Sequence, residues 1–333
     1  MSVSPFADIS ECRRALTFWI VAARCSQRVL DHSAKRHLYL PNKLNIVHTA
    51  TIKQLRLPKE RVVLGVTTMN LQARVDRYRE RDFQQLDAEI LVLIEESAVA
   101  LFTSFPGHFI LFGGATLVLF YGSPRLSRDL DLLASAWPLP KSEHVQAVVR
   151  TKIQPLGEIF GLGQLEFRQD IANPDFVKHW VLANQKPLFS IDLTRIGGNV
   201  LETQIIKKTI GDTPETTVLT PNANYLLFQK CETFLRRRNV KARDAFDIHL
   251  LLSRGAKLHK TLRPHLEDFI AMNELDKEFI KARIEAVTSK LCTVELRPVL
   301  PPPLFEQLEK EGFEPIRKSL RTVFSDWLAG GSR

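Results

Sequence analysis

The sequence predicts an α/β protein of the mixed α+β kind, with a sheet-bearing core followed by a helical C-terminal half. Three observations carry this expectation. Short apolar runs, several with strand-like alternation, fall between residues 107 and 210 with helical segments among them. Residues 222–293 lack that alternation and repeat apolar positions at helical spacing. The chain has 333 residues, 44% hydrophobic and 25% charged, enough for a sizeable core and about two domains.

In chain order, residues 1–68 come first. They are rich in Arg, Lys and His, poor in acids, and hold no lasting period, so they predict an extension that is poorly ordered or not native. Within them "ALTFWIVAA" (15–23) follows Arg13 and Arg14 like a signal segment, but it ends in Arg24-Cys25 instead of a small-residue cleavage site. Met69 opens "MNLQARVDRYRERDFQQLDAEILVLIEESAVALFTSF", a strongly helical stretch and a candidate translation start. Ile90, Leu91, Leu93, Ile94, Val99 and Leu101 crowd one side of it. "HFILFGG" reads as a buried strand and a tight turn, "ATLVLFYG" as a short helix closed by Gly122-Ser123-Pro124, and "RDLDLLA" as a half-buried strand. A helix over 142–156 leads to strands near "QLEFRQDI", "FVKHWVLAN", "PLFSIDLTRI" and "ETQIIKKTI". "GDTPETTVLTP" reads as a link, and "LRPVLPPPL" punctuates two final helices. The expected domains are an extension (1–68), a core with its leading helix (69–215) and a helical domain (216–333).

Lys plus Arg outnumber Asp plus Glu by 46 to 37, a net charge of +9, which favours polyanionic partners such as nucleic acid or nucleotides. No apolar run approaches the ~20 residues that span a bilayer, so no membrane partner is expected. The four cysteines, Cys12, Cys25, Cys231 and Cys292, stand far apart and read as the reduced thiols of a cytoplasmic protein.

The stretch "FGGATLVLFYGSPRLSRDLDLL" (112–133) carries the chemistry. On a strand, Asp129 and Asp131 share one face about 7 Å apart, while Leu130 and Leu132 share the other. A bare D-x-D also fits a solvated strand end that starts a turn. Oxygen-rich pairs of this kind suit Mg²⁺, which keeps waters and takes substrate phosphates. Gly113 and Gly114 lie at a strand-to-helix junction where backbone N–H groups can approach a phosphate, and Arg125 and Ser127 can donate to the same phosphates. A Walker-type phosphate loop is absent.

These residues resemble the first motif of the polymerase β-like nucleotidyltransferase superfamily, and in particular the AbiEii/AbiGii toxin branch, which reads G-G-T-A-L…Y-G…R-x-S-x-D-L-D. The sequence departs from it at Ala115, where Thr is usual, and at Arg128, where an acid is common. The resemblance implies a nucleotidyltransferase-like mixed sheet core and a third carboxylate on a neighbouring strand. Asp192 in "FSIDLTRI" is its best match, with Glu166 in "QLEFRQD" as competitor. Asp129, Asp131 and Asp192 would then hold Mg²⁺ or Mn²⁺, with Asp192 as base toward an attacking hydroxyl.

A second block, "NYLLFQKCETFLRRRNVKARDAFDIHLLL" (224–252), reads as two helices. By itself it allows a plain account, in which Asp244 and Asp247 complement a helix N-terminus and Arg236, Arg237 and Arg238 form a solvated patch. It also resembles the later AbiEii motifs, a lysine on one helix and R-D-x-x-D on the next. That resemblance implies that Lys230 contacts the triphosphate, that Asp244 is required beside it, and that Arg243 and Asp247 complete the motif. The three arginines then become candidates for an RNA backbone.

Together these readings imply an NTP-dependent nucleotidyltransferase that releases pyrophosphate. The resemblance implies the toxin of an AbiE-like, type IV toxin–antitoxin pair of the phage-defence kind, with a cognate antitoxin encoded nearby. It also implies the tRNA 3′ end as one acceptor. Two alternatives stay open: a transferase for a small molecule or protein, of the aminoglycoside-modifying type, and a nucleotide-binding module without turnover.

Overall fold

A computed structural model describes residues 68–134, 138–195, 204–211, 215–259 and 261–329. The expectations for residues 1–67 lie outside the described residues. Gln72–Ile196 with Val200–Arg333 form one compact unit; the other, Met1–Leu71 with Gly197–Asn199, supplies only the first turn of one helix to the described residues.

The leading helical stretch is two helices, α1 (Thr68–Arg79) and α2 (Gln85–Ser104), broken at a turn where Asp82 adopts φ +64°. The one-sided reading of α2 is corrected, because Ile90 through Phe102 are all buried, Glu95 and Glu96 included. Cations reach these buried acids from both sides. Arg74 and Lys152 pair with Glu96, Arg77 pairs with Glu95 at 2.8 Å, and the Tyr78 hydroxyl donates to Glu95 at 3.0 Å.

The core sheet takes the order β1-β2-β5-β4-β3, built from β1 (Phe109–Phe112), β2 (Asp129–Ala134), β3 (Leu165–Asn173), β4 (Phe176–Ala183) and β5 (Lys186–Arg195). Only β2 and β5 run parallel, and the chain between them passes through α4 (Ser142–Ile159) and the β3–β4 pair. Leu130, Leu132 and Ala134 are buried, which turns Asp129 and Asp131 to the other face. Helix α3 (Gly113–Tyr121) bridges β1 and β2 and stops at Gly122, whose left-handed φ of +65° lets the Ser123 N–H return to the Leu117 carbonyl at 2.9 Å. The β4–β5 hairpin turns on Asn184 and Gln185, both at positive φ, the conformation whose twist matches the strands.

Part of the expected Thr/Pro link is a strand. β7 (Thr216–Pro221) pairs antiparallel with β6 (Ile205–Ile210), and the Thr220 hydroxyl donates to the Leu111 carbonyl of β1 at 3.0 Å. Helices α5 (Ala223–Arg236), α6 (Ala242–Ser253), α7 (Arg263–Met272), α8 (Lys277–Glu285) and α9 (Ser289–Leu296) follow. Three helices come after the proline segment where two were expected: α10 (Pro302–Lys310), α11 (Glu314–Val323) and α12 (Ser325–Leu328). Asn222, Asp276 and Thr288 start α5, α8 and α9 by accepting a backbone N–H. The apolar core of these helices continues into Ile110, Phe112 and Leu117, so the helical half packs directly on the β1–α3 side of the sheet.

Candidate active site

Parallel pairing sets Asp129 beside Ser190 and Asp131 beside Asp192. Register partners in neighbouring strands project to the same face, at the usual strand spacing of about 4.8 Å. The three carboxylates therefore share one patch of the sheet. Glu166 does not join them, since β3 lies two strands beyond β5. The Ser190 hydroxyl donates to Asp129 Oδ1 at 2.9 Å, and Lys178 Nζ, from β4, donates to Asp192 Oδ2 at 3.0 Å. Asp192 Oδ1 is buried with no hydrogen-bond partner. Burial, reinforced by the charges of Asp129 and Asp192, pushes the Asp131 carboxyl up to about 8, and the positive charges of Lys230 and Lys178 only partly oppose it. Burial also raises Asp192, against the pull of Lys178.

Gly113, at φ +75°, stands where any Cβ would overlap the Asp131 carboxylate, and a Cβ on Gly114 would overlap the Ser127 hydroxyl and crowd Arg125. The space freed by the missing side chains is thus taken by the protein's own site residues. What this turn can offer a ligand is its backbone N–H groups.

The second block meets the first. Asp247 is fully buried, and its two oxygens accept from Arg125 Nε and Nη2 at 2.8 and 2.9 Å. Lys230 Nζ lies 2.8 Å from Asp247 and 3.6 Å from Asp244, while Arg237 forms an ion pair with Asp244 at 2.8 Å. Burial alone would raise the Asp247 carboxyl, but Arg125 and Lys230 outweigh it and hold the group below the usual carboxylate range. Arg125 is buried and bonded to Asp247, so the pair holds the sheet to the helices. Arg243 is exposed on α6. Lys230 is the group that links the two blocks, paired to α6 and within electrostatic reach of Asp131.

Sequence reasoning missed Lys178. A signal was present, because a two-residue turn at Asn184-Gln185 sets Lys178 one step from Asp192, and a bulge at Val181/Leu182 brings the two opposite.

Among the described residues, no group of three or more His, Cys, Asp or Glu side chains is arranged to hold a metal ion. The donor set still suits a hard divalent cation: the oxygens come from adjoining strands, Asp192 Oδ1 lacks a partner, and like charges crowd Asp131.

A model of the AbiEii nucleotidyl transferase toxin family, of type IV toxin–antitoxin systems, matches residues 99–324. The chain belongs to this family. It is therefore a nucleotidyltransferase of the AbiEii toxin type, and the family context is a two-part system with an antitoxin. The AbiEii match spans both blocks of the site. Among solved structures, MenT4, a nucleotidyltransferase toxin from Mycobacterium tuberculosis, is 13% identical, with a TM-score of 0.43, over 81% of this chain and 95% of that one. JHP933 from Helicobacter pylori is 14% identical, with a TM-score of 0.41, over 72% of this chain and 91% of that one. No curated protein matches the sequence significantly. No helix among the described residues is long and apolar enough to cross a membrane.

Proposed function

We propose that this AbiEii nucleotidyltransferase transfers a nucleoside monophosphate from an NTP to an acceptor hydroxyl on RNA, at the patch formed by Asp129, Asp131 and Asp192. The observation that carries the reading is the register pairing Asp131 with Asp192, with Lys230 near enough to act on the same carboxylate. Asp129, Asp131 and Asp192 would hold Mg²⁺ or Mn²⁺, which when bound offsets the triphosphate charge and makes the acceptor hydroxyl more acidic. In the reaction, the acceptor oxygen bonds to the α-phosphorus as the bond from that phosphorus to pyrophosphate breaks. Asp192 Oδ1, without another partner, takes the hydroxyl proton. Ser190 and Lys178 keep the carboxylates in place, and Lys230, anchored by Asp244 and Asp247, presents a cation toward the phosphates. The chain's net charge of +9 favours an RNA acceptor over a neutral small molecule, and within the family context the tRNA 3′ end is the acceptor we test first.

The test is incubation of the purified protein with labelled NTPs and either total RNA or candidate small acceptors and proteins, followed by sequencing of tRNA 3′ ends after induction in cells. Label should enter RNA and disappear with Asp129→Ala. Label entering a small acceptor or a protein would replace the RNA reading. Bound NTP without transfer, with a cellular effect unchanged by Asp129→Ala, would replace catalysis by binding. A small gene beside the reading frame whose product restores growth would supply the antitoxin.

A further inference from the structure

Arg283, on α8, is a buried cation for which no carboxylate is provided. It is 8% exposed, and its Nε donates to the Phe234 carbonyl at 2.8 Å. Its guanidinium lies 5.5 Å from the Phe234 ring centre and 5.4 Å from that of Phe279, so two rings and a carbonyl fix it in place. Nη2 is buried with no acceptor. Asp244 is near enough for its charge to act on Arg283, but Asp244 already pairs with Lys230 and Arg237. Closing the last turn of α5 through the Phe234 carbonyl accounts for Nε and leaves Nη2 unexplained. Buried charges are ordinarily matched, so this one points to an anion that comes from outside.

Arg283 lines an open pocket of about 430 Å³ between the α5–α6 turn and α8. The rest of its wall is Arg238, Asn239 and Phe279 over an apolar floor that includes Val240 and Leu291, and no acidic residue lines it. Arg238 is exposed and forms no ion pair among the described residues, in contrast to its neighbour Arg237. Phe279, which lines the pocket beside Arg283, is 37% exposed. A cation pair beside an accessible ring is the recognition chemistry of a nucleotide unit, with charge for the phosphate and a flat face for the base. The pocket's openness suits a strand that continues past it, and the turn carrying Arg238 leads straight into α6 and Asp244.

We propose that this pocket is a docking site for single-stranded RNA, with Arg283 and Arg238 holding a backbone phosphate and Phe279 stacking on an adjoining base. It deepens the transfer reading by giving the acceptor strand a place to lie beside the reacting end.

The test is equilibrium binding of a fluorescent ten-nucleotide single-stranded RNA to the full chain, without NTP or divalent ion, across a salt series. Because no turnover is measured, failure of the transfer reading leaves this result readable. Arg238→Ala and Phe279→Ala, both at exposed positions, should each weaken binding about tenfold. Arg238→Ala should also reduce the slope of log affinity against log salt by about 0.7, the value for one lost single-strand phosphate contact, and Arg238→Lys should restore that slope. Arg283→Gln should act like Arg238→Ala if it folds. Unchanged affinity and slope in both exposed variants would overturn the site. Competition by AMP or inorganic phosphate as strong as that of unlabelled strand would overturn the strand assignment in favour of a free phosphate.

Discussion

Two charged clusters lie close together in this protein and are built in opposite ways. Around Asp247 the charges are answered within the fold: the carboxylates of Asp247 and Asp244 meet a bidentate Arg125, Lys230 and Arg237. On the face of β2 and β5 three carboxylates are gathered with Lys178 as their nearest cation, and Asp131 is left so poorly compensated that its proton is held up to about pH 8. The difference teaches how to separate architecture from function in a charged interior. A cluster that balances itself fixes geometry, whereas one that stays unbalanced is stable only because the surrounding fold enforces it, and it is completed by something that binds.

The sharpest way to break this comparison is Asp131→Asn. It removes a carboxylate that is costly to the fold and, on the proposed reading, essential to the site. Transfer activity should fall by about 10³-fold or more, while the melting temperature stays level or rises. A clear loss of stability without loss of transfer would put Asp131 on the architectural side. Asp247→Ala makes the opposite test. It leaves Arg125 as a buried, unmatched cation and takes from Lys230 the closer of its two carboxylates, at a cost of about 3–5 kcal/mol in denaturant unfolding. If Asp247→Ala melted like the parent and lost only activity, the division between the clusters would fail.

How much of this was legible depends on the distance over which each feature is encoded. Asp129, Asp131 and their alternating leucines could be read because strand periodicity is local, and the turn residues Asn184 and Gln185 fix Lys178 and Asp192 within a few positions. The pairing of Arg125 could not be read because its partner lies 122 residues away. A phosphate and a carboxylate are equally good bidentate targets for a guanidinium, so the local sequence does not choose between them. The burial of Glu95 and Glu96 was hidden for the same reason, their cations being on α1 and α4. β7 was obscured by its flanking prolines, although Thr216-Thr217-Val218 is a β-branched run. The carboxylates of the site carry the strongest local signal and the fewest internal partners, which is why they were found first.

A smaller effect sharpens the comparison inside the unbalanced cluster. Ser190→Ala deletes the hydrogen bond to Asp129 together with the hydroxyl's weaker influence on Asp192. One hydrogen bond to a charged group is worth about 1.5 kcal/mol, so transfer should drop about tenfold, chiefly in kcat, with the fold intact. A drop as deep as that of Asp131→Asn would mean that Ser190 is itself part of the reacting set.

The smallest expected effect comes from β4, just behind Asp192. His179 is fully buried; its Nδ1 meets Gln146 at 3.2 Å, and its Nε2 has no partner. Burial lowers its pKa below the ordinary value of 6.5, so the folded protein keeps the ring neutral while the unfolded chain takes up a proton. Between those two pKa values the unfolded state binds more protons, so the share of stability that His179 contributes falls as pH drops through 6.5. That share should lower the melt at pH 5.5 relative to pH 7.5 by a few degrees, on the order of 2–4 °C, against the opposite contribution of Asp131, and it should be absent in His179→Gln compared with the parent. His179 balances itself by staying neutral, a third solution beside full pairing and tolerated imbalance. An unchanged pH dependence in His179→Gln would show that the ring already finds a counter-charge in the fold.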